Sequence, residues 1–270
     1  MATKKSSTKK QTKPTDKNIP ASLHPWNKYL ALLYAMQGVV ILILSVVKVF
    51  PVSTSFIGRD TLQTQAQGHV VLAAGMQHLF DINMVYLVAA FLFMAAIAHG
   101  LATTFLRSLY EQDLRQGINK IRWVEYSLSA GIMTLAISLL VGVQDLSTLL
   151  LLFGIVVVAS LFGLVVETHK LEQRWLRYSI TAVAGLAPWI VIVIYLISNA
   201  VYGSSSPSYV YWMVGTVFIL FAGFVANACL VNSKVGKWAD YLYGERIFMI
   251  LSFVVKTALA WQIFAGVLHP

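Results

Sequence analysis

Long apolar runs separated by short polar connections dominate the chain. A hydrocarbon layer is spanned by about 20 helical residues rising 1.5 Å each. Runs of that length lie at 29–50, 82–106, 121–143, 146–166, 178–202, 209–232 and 247–268. Each is expected to be a membrane helix, so the pattern predicts an all-α membrane protein built as a seven-helix bundle. One connection breaks the rule of brevity. Residues 51–81 are rich in Gln, Thr, Ser and Gly, and a connection that long usually carries structure or function of its own. Its VSTSFIG and GHVVLAAG segments are expected to pair as a short β-hairpin. Residues 1–25 have no apolar periodicity and are rich in Lys, Ser and Thr. They are expected to form a disordered tail ahead of a 26–270 helical domain. The tail is not expected to be a signal peptide, because no apolar stretch with a small-residue cleavage site follows its lysines within the usual window.

Composition agrees with the pattern. The chain is 58% hydrophobic and 11% charged with mean hydropathy +0.72, against about 25% charged residues in a soluble domain. One cysteine, Cys229, makes no internal disulfide, and the histidines outside the spans are too scattered for a metal site. The net charge of +9 raises nucleic acid as a partner, but the basic residues are not interleaved with stacking aromatics. They alternate by connection instead. Lys4 through Lys28 precede the first span; Arg107, Arg115, Lys120 and Arg122 follow the second. Lys170, Arg174 and Arg177 follow the fourth, and Lys234, Lys237 and Arg246 the sixth. The opposite side has Arg59 and Lys48. Basic connections face the cytoplasm, so a multi-pass protein of the cell membrane is expected, with its N-terminus cytoplasmic and its C-terminus outside.

Two charges stand out against the apolar background. Lys256 lies mid-span in SFVVKTALAW of the seventh helix, where a cation costs about 2.5–3.5 kcal/mol on insertion scales. Glu125, in RWVEYSLSAG of the third helix, is the acidic residue that lies inside a span rather than at its end. Buried charges pair or neutralise, and both helices start on the same side. Helical side chains lean toward the helix N-terminus, which carries the lysine toward Glu125 and toward Ser252, four residues earlier on the same face. Two interpretations follow. One is an ion pair that only fixes packing. The other is a desolvated lysine that condenses with an aldehyde, with Glu125 as counterion to the protonated imine.

With RWVEYSLS and SFVVKTALAWQ in place, the chain resembles the heliorhodopsins, a family of microbial rhodopsins, over all seven helices and the long first connection. The resemblance implies a retinal-binding photoreceptor rather than an enzyme. It implies retinal, all-trans in the dark, on Lys256 as a Schiff base, with Glu125 as counterion and Ser252 as hydrogen-bonding neighbour. It also implies a homodimer to which the long connection contributes, and a cytoplasmic signalling partner of unspecified kind.

Departures from ion pumps narrow the expectation. Pumps usually carry an aspartate where this chain has Ser252, and proton pumps a second carboxylate where it has Ala136. No other acidic residue is expected deep in a span, so a light sensor is favoured over a light-driven or light-gated proton transporter on the same pigment. A third possibility is a seven-helix receptor or scaffold without chromophore. The resemblance implies a proton-accepting histidine on the second helix, which His99 matches. A second family histidine, on the first helix, aligns with Tyr34. Tyr34, Gln37 and Ser129 join the expected polar layer, and Asn119 is expected to orient Glu125. The comparable aromatic region of the sixth helix reads FILFAGF. Phe221, Trp189 and Trp261 are the expected pocket walls.

Overall fold

The computed structural model describes residues 19–168 and 174–270. Among them, seven helices are long and apolar enough to cross a membrane. They are α1 (Ile19–Leu44), α3 (Met84–Thr103), α5 (Lys120–Leu140), α6 (Leu146–Thr168), α7 (Arg174–Tyr202), α8 (Ser208–Ser233) and α9 (Tyr241–Ile263). A single π-helical turn, Phe264–Leu268, extends α9. Successive spans lie side by side, and α9 returns against α1 and α3 to close the bundle. The outer faces carry large apolar side chains such as Leu151, Ile43 and Ile219, which are 73%, 72% and 71% exposed. In a bilayer that surface meets lipid.

The first span differs from expectation at both ends. Residues 19–25, assigned to the tail, are helical, while the rest of that expectation, residues 1–18, lies outside the described residues. At its far end α1 stops at Leu44 rather than at residue 50. Val46, Val47 and Val49 are β-branched, which restricts their rotamers in a helix, and Pro51 disfavours helical backbone at Phe50. The apolar run therefore contains the end of a helix and the start of a strand, which length and hydropathy alone do not separate.

That strand, β1 (Val49–Arg59), pairs antiparallel with β2 (Leu72–Asn83), so the expected hairpin is present, but its second strand is shifted: residues 68–71 of GHVVLAAG lie outside it, and VSTSFIG pairs with residues 73–80. Between the strands lies a short helix, α2 (Thr61–Gln67), whose N-cap Asp60 accepts from the Gln63 amide at 3.0 Å. The Phe56 ring lies over Gly75 in the opposite strand, where a Cβ would stand 2.7 Å from Cζ. The hairpin is clasped to the α5–α6 connection. Ser53 N donates to Gln144 O at 2.8 Å. Asp145 accepts from Ser55 N at 3.3 Å and Ser55 Oγ at 3.4 Å, and from Thr148 N at 2.9 Å and Thr148 Oγ1 at 3.0 Å. These donors, the Thr148 amide foremost, hold the Asp145 carboxyl below the usual carboxylate range.

At the other end of the bundle lies a helix that the apolar pattern did not predict, α4 (Arg107–Gln116). It is too short and polar to span, and it buries Tyr110, Asp113 and Leu114 against the bundle. The seventh span also starts earlier than expected, at Tyr241 rather than 247, because Asp240 caps it by accepting from the Leu242 amide at 3.0 Å. The added turns bring Glu245 inside.

Candidate functional site

Lys256 sits on the inner face of α9 with its side chain 3% exposed. Its Nζ donates to Glu125 Oε1 at 2.7 Å and to Ser252 Oγ at 2.8 Å. The lean of helical side chains toward the N-terminus accounts for both contacts. Two aromatic rings flank the amine, Tyr126 at 5.1 Å and Tyr34 at 5.8 Å from Nζ to ring centroid, both within cation–π range. The Tyr34 hydroxyl donates to Ser252 Oγ at 3.4 Å, and that of Tyr126 to the Phe248 carbonyl at 2.9 Å.

A polar path leads from this layer toward α4. The Tyr34 ring stacks on His99, with centroids 5.7 Å apart and planes 11° apart. His99 Nδ1 lies 2.6 Å from Asn27 Oδ1. Asn27 Nδ2 donates to the Leu23 carbonyl at 3.0 Å and to the Tyr110 hydroxyl at 3.1 Å. With its nitrogen so used, Asn27 presents its oxygen to His99, so His99 Nδ1 is the donor. A cavity of about 30 Å³, room for about one water molecule, lies beside this path. It touches Asn27, His99, Tyr110, Asn119, Arg122 and Glu125.

Three expected site residues are elsewhere. Gln37 accepts from Trp261 Nε1 at 3.1 Å on the bundle surface. Trp261 is 37% exposed. It lies five residues beyond Lys256, about 140° around the helix, and so faces outward rather than into a pocket. Asn119 does not orient Glu125. It caps α5 by accepting from the Arg122 amide at 3.0 Å, and its Nδ2 donates to Glu245 Oε2 at 2.7 Å. Ser129 is buried one turn beyond Glu125, and its hydroxyl has no hydrogen-bond partner among the described residues. Trp189 and Phe221 pack together, with centroids 5.9 Å apart. A Cβ on Gly185 would stand 2.8 Å from Phe221 Cζ, so that glycine admits the ring.

A second buried charge cluster was not expected at all. Arg122 reaches Glu245 through Nη1 and Glu167 through Nη2. Glu167 also accepts from Asn119 N at 2.9 Å, Trp123 Nε1 at 2.7 Å and the Tyr241 hydroxyl at 3.2 Å. Glu245 is 1% exposed, which overturns the expectation of a single buried carboxylate. Counting loop charges concealed the cluster, because all three members lie at helix ends. Helical phase was the available signal. Glu245 precedes Lys256 by eleven residues, about 20° from the same face, and Arg122 precedes Glu125 by three.

No curated protein matches the chain. A family model described as heliorhodopsin matches residues 23–268, which takes in the β-hairpin and all the spans except the first residues of α1. Together with the seven apolar helices, that match shows that the chain belongs to the heliorhodopsin family of retinal-binding, light-sensing membrane pigments.

Proposed function

We propose that this protein senses light without pumping ions, holding retinal on Lys256. The observation that carries the proposal is the constellation of one buried amine, one carboxylate at 2.7 Å and one hydroxyl at 2.8 Å. That donor set fits an aldehyde condensed on the amine: Lys256 supplies the nitrogen, Glu125 the compensating charge and Ser252 a second hydrogen-bond partner. Trp189 and Phe221 are proposed as apolar walls. Retinal, when bound, all-trans in the dark, supplies the visible absorption and the light-driven isomerisation.

The residues around it do the rest. Glu125 favours the charged form of the nitrogen beside it. Ser252 and Tyr34 keep that nitrogen hydrogen-bonded, and His99 offers a place for a proton that leaves it. Glu167 and Glu245 lie at the basic end of the bundle, committed to Arg122. Among the described residues, the far half then holds no carboxylate ladder of the kind that vectorial transport needs. We place the basic end in the cytoplasm of a cell-membrane protein, on the strength of the Lys/Arg asymmetry, with a signalling partner at that end. One face of the hairpin presents Ile57, Leu72 and Met76, 76%, 64% and 61% exposed, as an apolar surface for a homodimer contact.

Adding retinal to the purified retinal-free protein tests the assignment. A visible band should form, and Lys256→Ala should abolish it. A band that survives the substitution, or none in the parent, overturns the proposal. A sustained, uncoupler-sensitive pH change in illuminated cells would replace the sensor by the transporter.

A further inference from the structure

The polar path from Lys256 ends on α4, an α-helix of that end that does not span the membrane. Its links are Lys256 to Ser252 at 2.8 Å, Tyr34 to Ser252 at 3.4 Å, Tyr34 stacked on His99, His99 to Asn27 at 2.6 Å and Asn27 to Tyr110 at 3.1 Å. The path crosses from α9 to α1 to α3, back to α1, and then to α4. Its last member, Tyr110, is 6% exposed although its helix lies at the bundle surface.

We propose that α4 is the output element of the light sensor, with Tyr110 the positioning residue that ties it to the Lys256 layer. The inference rests on the pigment proposed above and adds the means by which a change at Lys256 reaches the surface.

Four features suit α4 to that part. Its ten residues are fewer than the 12–15 or so that a helix needs to be even marginally stable alone, so its order depends on docking. No side chain caps its N-terminus, where Leu106 occupies the cap position. Both flanks are non-helical: Thr104 lies at φ −121° and ψ −102°, and Gly117 at φ +74°. The left-handed conformation at Gly117 is one that glycine adopts without penalty, so the chain can turn there. Its exposed Arg107 adds little hold, pairing with Glu111 within the helix at 2.8 Å, whereas the buried Asp113 faces inward and pairs with the half-exposed Lys120 of α5 at 2.8 Å. Toward the bundle α4 buries Tyr110, Asp113 and Leu114. Of these, Tyr110 is the member joined to the Lys256 layer.

The coupling needs no new chemistry. Asn27 can face His99 with its oxygen while its nitrogen donates to the Leu23 carbonyl only in one amide orientation. A change of charge or tilt at His99 that displaces this side chain stretches its contact with the Tyr110 hydroxyl. An element held by few buried contacts is the one whose population then shifts.

Hydrogen exchange in the dark and under continuous light tests the proposal. In the parent pigment, the amides of 107–116 should exchange faster in light. Tyr110→Phe keeps the ring and removes the hydroxyl. It should leave the dark visible band in place, speed α4 exchange in the dark roughly fivefold, the worth of one hydrogen bond, and abolish the light–dark difference there. Asn27→Ala in the retinal-free protein should speed α4 exchange likewise, a readout independent of light. Equal α4 exchange in light and dark in a pigment that forms and bleaches normally overturns the inference while leaving the pigment intact. So does a light response undiminished by Tyr110→Phe. Failure of any visible band to form would instead sink the pigment assignment.

Discussion

Two buried charge clusters connect α5 and α9, and they are built on opposite principles. The Lys256 cluster balances: one cation, one carboxylate, and the Ser252 hydroxyl as extra partner. The Arg122 cluster does not. One guanidinium faces two carboxylates, and Asn119, Trp123 and Tyr241 supply further donors to them. A planar guanidinium with five donors suits a fixed multidentate hub, whereas a lysine amine is a point charge whose nitrogen can take part in covalent chemistry. The comparison teaches which cluster is built to change and which to stay. The first has few partners around a nucleophilic nitrogen, and the second has many around a group that keeps its proton.

The largest expected effect lies in the fixed cluster. Arg122→Gln strands the buried Glu245 and the partly buried Glu167, and breaking a buried ion network from one side costs about 3–5 kcal/mol. Denaturant unfolding of the retinal-bound protein should show a loss of that size; an unchanged midpoint would remove the hub role. Next comes Glu125→Gln in the balanced cluster. An opposite charge in contact is worth about 1–3 pH units to the group it faces. The visible band of the variant should therefore shift, and it should give way to the ultraviolet-absorbing, deprotonated form at a pH lower by that amount. A spectrophotometric titration matching the parent would dismiss Glu125 as counterion. Glu245→Gln should matter less to stability than Arg122→Gln, since it brings the second cluster to balance instead of doubling its excess. If the two variants unfold alike, the difference between hub and rim is not real.

The same contrast explains what could be read along the chain. Lys256, Glu125 and Ser252 were legible because a charge deep in an apolar run has no innocent position, and helix direction then fixed their partners. Arg122, Glu167 and Glu245 were not, because charges at span ends are what topology alone would place there. Only the burial produced by the Asp240 cap, which starts α9 early, separates Glu245 from a loop residue. Asn119 was misassigned for a related reason: its proximity to Glu125 in sequence hid its place at the helix cap. The seven spans were legible from apolar length. The end of α1 was not, since a strand of Val and Phe continues the apolar run without a break. Helix α4 was missed because its ten residues carry a polar surface pattern and dock through Tyr110, which no apolar periodicity marks.

The smallest expected effect lies at the opposite end, where the hairpin clasp sets one carboxylate among four neutral donors. Asp145 accepts from the amides and hydroxyls of Thr148 and Ser55, and its carboxyl is held below the ordinary range mainly by the Thr148 amide. A depressed folded-state pKa means that the ionised form stabilises the clasp. That contribution is complete above the ordinary aspartate range and is lost as pH falls through the lowered value. Acidification should therefore loosen the hairpin before it touches the buried clusters, which water reaches poorly. Hydrogen exchange of 49–59 against pH should show protection falling on the acid side. Asp145→Asn should flatten that dependence and raise exchange at neutral pH by roughly fivefold or less, the scale of one hydrogen bond. The Lys256 layer, at a different depth of the bundle, should keep its visible band throughout. A band that titrates together with the hairpin would tie the two ends of the molecule into one unit and erase the distinction between a site that changes and a frame that holds.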